Sequence, residues 1–284
     1  MKKILLALTL VFSAVFAIAQ QTYPVNGSFD VRSGQYAFTN ATIVVNANQT
    51  ISNGVLLIKN QVIQSVGTGT AIPNGYVVVD LKGKYIYPSL IDAFTSYGIT
   101  MEAGAQRSGF GGQRQSVFTS QKKGAYNWNA AIRPETEVRT IFSIDTKKAD
   151  ELRKAGFGSV NVINRDGIAR GTSAAVTLND EFEHKVMLKD QTAANYSFSK
   201  GSSTNDYPTS LMGSIALLRQ TYLDAAWYKG QKEEYNISLD EFNKQQNLPQ
   251  IFEADGWANI LRADKIGKEF GKQYIIKSNG DEYQ

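Results

Sequence analysis

The stretch GYVVVDLKGKYIYPSLIDAFTS, residues 75–96, contains two apolar runs on either side of a short polar turn. The first run, Tyr76–Leu81, is rich in β-branched residues, which pack well on a pleated sheet. The turn contains Gly83, and the second run, Tyr85–Phe94, is again apolar. This order predicts a strand, a turn and a further strand. The stretch also joins two regions with different sequence patterns.

The region before the turn, residues 35–80, has the pattern of a small β-unit. Short runs rich in β-branched residues occur at Ala41–Val45, Gly54–Lys59 and Val62–Val66. Turn-forming residues such as Asn53 separate these runs. The pattern therefore predicts several short strands connected by tight turns.

The region after the turn alternates between strand patterns and helix patterns, which is typical of a parallel α/β core. The predicted strands are Ser159–Asn164, Ser173–Leu178, 249–254 and 274–277, and the predicted helices are Ala149–Ala155, Pro208–Tyr228, Leu239–Gln246 and Trp257–Phe270. The longest helix is expected to start with Pro208 in its first turn and to bury an apolar stripe formed by Leu211, Ile215, Leu218, Tyr222 and Ala226. Two stretches, 103–125 and 189–207, are predicted to be long mobile loops.

The string from Asp80 to Asp92 resembles the entry of the amidohydrolase superfamily into its barrel, in the imidazolonepropionase-related branch. In that family a small β-sandwich leads through an Asp-x-x-Gly-Lys turn and a Pro-Gly-Leu-Ile-Asp step into the first barrel strand. This chain keeps, in order, Asp80, Gly83, Lys84, Pro88, Leu90, Ile91 and Asp92. Two further stretches are more loosely similar to later parts of the family: Ala155–Val162 to the second strand, and Leu248–Gly271 to a later strand and its helix.

The resemblance implies a site for one or two divalent metal ions, such as zinc, at the carboxyl ends of the barrel strands. In the family the first strand ends in His-x-His, and the matching positions here are Phe94 and Ser96. A phenyl ring has no lone pair to donate, and a neutral hydroxyl is a poor ligand for a transition metal. The two positions are therefore lost ligand positions, and no metal cofactor is expected for this chain.

Other residues match further ligand positions of the family. The family's later histidine position matches Glu253, and the next matches Lys277 or Ser278. Asp92 and Glu253 are weak residual candidates for ligands, although a structural role at the strand end is favoured for Asp92. His184 is the only histidine and lies in a charged, surface-like run, so no cluster of imidazoles can form.

A glycine run, residues 109–112, is flanked by Arg107 and Arg114 and has the composition of an anion-binding loop. No clear strand leads into the run and no phosphate-loop lysine follows it, so a loop without a ligand is favoured. The sequence therefore assigns neither a catalytic residue nor a ligand-binding residue.

Residues 1–19 have the pattern of a secretory signal peptide, because Lys2 and Lys3 precede an apolar run and the segment ends in Ala17–Ala19. Its removal takes two lysines and no acidic residue, so the net charge falls from +4 to +2. With so small a charge and no dense basic patch, nucleic acid is not an expected partner. The chain has no cysteine, which excludes disulfides and thiolate metal sites. We expect an exported protein, periplasmic or secreted, with no membrane anchor after cleavage.

The predicted fold is α/β, with a partial (β/α)8 barrel of the TIM type at residues 86–284 and the N-terminal part of a β-sandwich at residues 20–85. A full barrel usually takes ~250 residues. The range 86–284 is shorter than that, so an incomplete barrel is expected. The leading hypothesis is an amidohydrolase-like protein, inactive alone, whose family hydrolyses non-peptide carbon–nitrogen bonds, often in cyclic amides, with a divalent metal. The alternatives are a non-catalytic module that binds a small molecule or acts as a scaffold, or the N-terminal part of a larger hydrolase. A downstream domain or a second copy would then be a partner.

Overall fold

The computed structural model describes residues 34–100, 117–231 and 233–280. The chain divides into two compact units, the first ending at Pro88 and the second beginning at Ser89. The predicted signal peptide, the first part of the loop at 103–125 and the glycine run at 109–112 lie outside the described residues.

The first unit contains one five-stranded sheet. Its strands are β1 (Gln35–Asn46), β2 (Gln49–Lys59), β3 (Val62–Gly67), β4 (Val77–Asp80) and β5 (Tyr85–Ile86). The sheet order is β3-β2-β1-β4, with β5 also pairing with β1. Strand β2 pairs antiparallel with both β1 and β3, whereas β4 and β5 run parallel to β1. Ala41, Ile43 and Leu56 form its buried core.

The strands that the sequence predicted in this unit are confirmed, with somewhat different bounds. The predicted sandwich is only partly formed, because residues 34–88 contribute a single sheet and no second layer. Several apolar side chains of this sheet are exposed, among them Val62, Ile63 and Val78.

Asp80 fixes the turn that leads from β4 to β5. Its Oδ1 accepts hydrogen bonds from the backbone N–H of Lys82 at 2.9 Å and from the side-chain amide of Asn40 at 3.0 Å. The bond from Lys82 and, to a smaller extent, the bond from Asn40 hold the pKa of Asp80 below its ordinary value. Gly83 has a φ of 81° and no atom close to where a Cβ would lie, so the backbone conformation alone requires glycine there.

The second unit contains two four-stranded sheets. Its strands are β6 (Leu90–Thr95), β7 (Phe157–Val162), β8 (Ala169–Thr172), β9 (Ala174–Thr177), β10 (Met187–Lys189), β11 (Ala194–Ser197), β12 (Gln250–Glu253) and β13 (Tyr274–Lys277). One sheet has the order β10-β9-β7-β6 and the other β13-β12-β11-β8. Ser173 is the single residue between β8 and β9, so one bent segment contributes a strand to each sheet.

Parallel pairing is confirmed for β6 with β7 and for β11, β12 and β13 in turn. The predicted parallel α/β core is confirmed only in part, because β8, β9 and β10 pair antiparallel with their neighbours. Strands β9 and β10, for example, are neighbours joined only by residues 178–186, a connection too short for the helical crossover that a parallel pair needs. The observed architecture is therefore a mixed α/β unit.

The helices of the second unit are α1 (Val138–Ile141), α2 (Thr146–Lys154), α3 (Glu183–Val186), α4 (Leu211–Tyr228), α5 (Ile237–Gln245) and α6 (Trp257–Glu269). The four helices that the sequence predicted all exist, within a few residues of the predicted bounds. Side chains cap three of them: Asp145 for α2, Ser210 for α4 and Asn236 for α5. No described helix is long and apolar enough to cross a membrane.

The buried face of α4 differs from the predicted stripe. Its members are Ser214, Leu217, Leu218, Thr221, Tyr222 and Ala225, while Ala226 is exposed. The Thr221 hydroxyl donates to the carbonyl of Leu217 at 2.9 Å, one turn earlier, which lets a polar side chain enter an apolar face. Pro208 lies before the helix rather than in its first turn, because Ser210 is the N-terminal cap.

The predicted loop at 189–207 is also corrected. It contains β11, whose four residues are all buried between β8 and β12. The strand was not predicted because two of its four residues, Asn195 and Ser197, are polar, although all four are buried. Backbone carbonyls accept from both side chains, since Asn195 Nδ2 donates to the carbonyl of Gly171 and Ser197 Oγ to that of Gly167.

Candidate functional site

The carboxyl ends of three parallel strands bring one row of polar residues together. In the register of the sheet, Glu253 at the end of β12 lies between Ser197 at the end of β11 and Lys277 at the end of β13. In parallel α/β sheets, ligands bind at this edge. The row therefore marks the candidate site.

Glu253 is the centre of a network of charges. Its side chain is 9% exposed, and its Oε2 accepts a hydrogen bond from Arg170 Nη1 at 2.5 Å. Arg165 Nη2 donates to the other oxygen, Oε1, and Arg165 Nε approaches Oε2 at 3.4 Å. Lys277 Nζ lies 3.9 Å from Oε1. Both carboxylate oxygens are thus occupied by guanidinium groups, and three cations surround one anion.

The ionisation of this network follows from burial and pairing. Burial favours the neutral form of Glu253, but the hydrogen bonds and charges of Arg170 and Arg165 outweigh it, so the pKa of Glu253 lies below its ordinary value. Burial lowers the pKa of Arg170, against the opposing effect of Glu253. Because a guanidinium group keeps its proton in proteins, the carboxylate and both arginines are charged at neutral pH.

Phe94 lies beside the same network. Its ring centroid is 5.7 Å from the guanidinium carbon of Arg165 and 5.6 Å from Nζ of Lys277. Both distances are within the range of cation–π interactions. At the first of the two lost ligand positions, the chain thus has an aromatic ring that attracts the cationic side chains of Arg165 and Lys277 and cannot coordinate a metal ion.

The other predicted positions have local roles. Asp92 Oδ1 accepts a hydrogen bond from the backbone N–H of Phe94 at 3.0 Å, where the pairing of β6 with β7 is irregular. Ser96 follows β6 and is half-buried. Ser278 Oγ accepts from the N–H of Gly280 at 3.1 Å, so of the two residues considered for the last position only Lys277 approaches Glu253.

His184 lies on the exposed helix α3, stacked on Phe182 with 5.9 Å between ring centroids. Within the three described ranges, no group of three or more His, Cys, Asp or Glu side chains is placed to hold a metal ion. Of the residues singled out in the sequence, the structure therefore brings together Phe94, Glu253 and Lys277.

Sequence reasoning missed Arg165 and Arg170, which complete the network. Arg165 follows strand β7, and Arg170 lies inside β8, where all four residues are buried. An arginine is almost never fully buried unless it is paired. The sequence gives only a weak signal for Arg170, a charge within the predominantly uncharged segment from Ile168 to Leu178, and it does not identify the partner.

Two cavities of about 460 Å³ lie in the second unit. One lies around Glu253 and the start of α6, and its lining residues are Arg165, Arg170, Ser197, Phe198, Ser199, Glu253, Ala254, Asp255 and Asn259. The other contains two internal pairs of opposite charge, Lys122 with Glu135 at 2.9 Å and Arg133 with Asp166 at 2.5 Å. Only the first cavity borders the row of strand ends.

No protein-family model matches the sequence, and no curated protein matches it. The structure is similar to the crystal structure of an amidohydrolase from Thermotoga maritima MSB8, with a TM-score of 0.64 and 18% identity over 85% of this chain and 63% of that one. A second crystal structure of an amidohydrolase gives a TM-score of 0.34 and 12% identity, over 82% of this chain and 59% of that one. The chain thus spans less than two thirds of the length of these two proteins.

Proposed function

The chain has a fold related to that of the amidohydrolase superfamily, and from this we propose that it is an amidohydrolase-like segment that holds no catalytic metal ion by itself. The reaction that the resemblance implies is metal-dependent hydrolysis of non-peptide carbon–nitrogen bonds, often in cyclic amides. The single observation that carries the proposal is the position of Glu253, whose two carboxylate oxygens are both held by arginines.

The residues at this site do not fit a divalent metal ion. Each oxygen of Glu253 already accepts a hydrogen bond from a guanidinium, so a metal ion would have to share the carboxylate with two arginines or displace one of them. Displacement of Arg170, 3% exposed, would leave its guanidinium buried without its counter-charge. The positive charges of the arginines and of Lys277 also repel a cation at this distance. We therefore derive no catalytic step through a metal at this site.

The cavity at the strand ends favours a non-catalytic role, the binding of a small molecule. A volume of about 460 Å³ at the strand ends lies within the usual size of small-molecule sites, roughly 300–1,000 Å³. Its lining combines charged groups and hydroxyls with the aromatic ring of Phe198. The segment then serves as a ligand-binding module that uses the family's strand-end location.

A second candidate function is the N-terminal part of a larger hydrolase, with the first part of a (β/α)8 barrel. In the described residues β6 and β13 each pair with one neighbour only. Leu90 and Ile91 on β6 and Ile275 on β13 are exposed, although apolar. Further strands, from a downstream domain or a second copy, would cover these edges. The imidazolonepropionase-related branch stays a prediction.

Export is part of the same proposal. It is supported by the pattern of Lys2, Lys3, the apolar run and the small residues at Ala17–Ala19. The test is N-terminal sequencing of protein recovered from the periplasm or the medium, and a mature chain that begins at Gln20 is expected. Recovery of the intact chain from the cytoplasm would contradict export.

The proposed lack of hydrolysis is tested by a panel of cyclic amides, each assayed with zinc, iron or manganese supplied. We expect no turnover above that of Glu253→Ala, which removes the carboxylate. Glu183→Ala, at an exposed acid on α3, is the matched control. Turnover that depends on metal and disappears in Glu253→Ala alone would overturn the proposal.

A further inference from the structure

The cavity at the strand ends presents one half-exposed arginine, Arg165, with unused hydrogen-bonding capacity. Arg170 is 3% exposed and uses Nε on the carbonyl of Gly167 and Nη1 on Glu253. Arg165 is 43% exposed and contacts Glu253 through Nε and Nη2. Its Nη1 makes no hydrogen bond to any described residue. Arg165 thus has N–H groups available to the cavity, whereas Arg170 is the permanent partner of Glu253.

The charges around this cavity leave an excess of one positive charge. Arg165, Arg170 and Lys277 supply three positive charges, of which Lys277 acts through Glu253 at 3.9 Å. Glu253 and Asp255 supply two negative charges, and Asp255 is exposed. The neighbouring Asp166 is matched by Arg133 at 2.5 Å. The balance therefore favours a ligand with a single negative charge over a dianion.

The start of α6 adds to this preference. The helix has 13 residues, its cap is Gly256, and no side chain accepts from its first N–H groups. Asn259, in its first turn, lines the cavity. The helix dipole favours an anion at such an end. The hydroxyl-bearing residues Ser197 and Ser199 line the cavity as well.

We propose that this cavity binds a small organic monocarboxylate, whose carboxylate group is held by the free edge of Arg165. The planar guanidinium fork matches a carboxylate, with which it forms short, charge-assisted hydrogen bonds. The remainder of the ligand occupies the space beside Phe198, which is the apolar part of the lining. This inference rests on the proposed function, because a metal ion on Glu253 would displace Arg165 from its present partner.

The experiment compares two probes of nearly equal shape, N-acetylglycinate and the neutral N-acetylglycinamide, by isothermal titration calorimetry with the full chain. We expect the carboxylate to bind and the amide to bind at least about tenfold more weakly, since a charge-assisted hydrogen bond is lost. Arg165→Gln should weaken binding of the carboxylate by at least about tenfold, and raised salt should weaken it in the wild type. Equal binding of the two probes, or no binding of either, would overturn the proposal.

Two matched variants separate a direct contact from a general change of charge. Asp255→Asn removes a negative charge at the cavity and should tighten binding of N-acetylglycinate. Arg219→Gln makes the same substitution as Arg165→Gln at a surface residue on α4 and should leave binding unchanged. If Arg219→Gln weakens binding as much as Arg165→Gln, the assigned contact is wrong. Thermal unfolding shows whether each variant is folded. If Arg165→Gln does not fold, Arg165→Lys replaces it, because lysine keeps the positive charge but lacks the planar guanidinium fork; it should also weaken binding of N-acetylglycinate.

Metal analysis of the same samples distinguishes the two ways in which the idea can fail. A metal-free protein that does not prefer the carboxylate contradicts this inference alone. A protein with a stoichiometric metal ion, whose carboxylate binding is unaffected by Arg165→Gln, contradicts the proposed function as well.

Discussion

Two adjacent rows of the same sheet differ completely in what stabilises them. The row Tyr196, Phe252 and Ile276 crosses β11, β12 and β13 inside the apolar core, where Tyr196 is 2% and Phe252 0% exposed. The next row along the same strands is Ser197, Glu253 and Lys277. One residue of sheet register thus separates an aromatic core from a network of charges.

The contrast shows how a site can be built at the edge of a core. The aromatic row is stabilised by removal of apolar surface from water, which has no directional requirement. The charged row is stabilised only while each buried charge has its partner, because desolvation of an ion costs several kcal/mol. The aromatic row should therefore tolerate substitutions of similar volume, and the charged row should tolerate only substitutions that keep or remove charges as a set.

The largest expected effect is in the aromatic row. Phe252→Ala removes a fully buried ring that lies 4.7 Å from Phe198 and 5.1 Å from Tyr274, measured between ring centroids. The free energy of unfolding should fall by about 3–5 kcal/mol, measured by urea denaturation. Phe252→Leu, which leaves a smaller cavity, is the control and should cost less. A loss for the alanine variant no larger than that of the leucine variant would show that this row is not tightly packed.

Removal of one charge comes next. Glu253→Gln keeps the shape of the side chain but leaves the guanidinium of Arg170 buried without a counter-charge. We expect a loss of about 3 kcal/mol in the free energy of unfolding, at the low end for a broken buried pair because Arg165 is half-exposed. The double variant Glu253→Leu with Arg170→Met removes the pair as a set and should lose less. A double variant that is less stable than Glu253→Gln would contradict this view of the row.

The stabilising effect of Glu253 should also depend on pH. The folded chain holds the pKa of this carboxyl below its ordinary value of 4.5. The ionised group therefore stabilises the fold fully above pH 4.5, and this contribution is lost as the pH falls through the folded-state pKa. Thermal unfolding from pH 7 down to pH 3 should show the difference between wild type and Glu253→Gln narrowing below pH 4.5. A difference that widens as the solution is acidified would mean that the folded state favours the protonated carboxyl.

The smallest effect is expected for an ion pair outside both rows. Arg219 on α4 and Glu269 on α6 approach at 2.6 Å, but both side chains are well exposed. Solvent and salt screen such a pair, so Arg219→Gln should shift the urea midpoint by no more than the experimental error. A loss comparable to that of Glu253→Gln would show that burial does not decide which charges matter here.

The sequence predicted the elements of the fold better than their arrangement. Strands such as β2 and β13 and the helices α2 and α6 follow from β-branched runs and helical periodicity. The strand β11 could not be predicted in this way, because Asn195 and Ser197 interrupt its apolar pattern. Their burial depends on carbonyl groups of Gly171 and Gly167, which are distant in sequence. The bend at Ser173, where the chain passes from one sheet to the other, also has no clear signal in the sequence.

The candidate site was predicted only in part, for a similar reason. The resemblance to the family located Phe94, Glu253 and Lys277, which the structure brings together around one carboxylate. Arg165 and Arg170 match no motif that the sequence offered, and their importance comes from contacts 88 and 83 residues away along the chain. The sequence pattern around one residue cannot show such a pairing, because its partner lies far away along the chain and in a different element.

The central claim is that arginines occupy the carboxylate that would otherwise be available to a metal ion. The most direct test is the metal content of the purified chain after incubation with zinc, iron or manganese and desalting, measured by mass spectrometry of the elements. We expect no stoichiometric metal in the wild type and no change in Glu253→Ala. One tightly bound ion per chain that is lost in Glu253→Ala would contradict it.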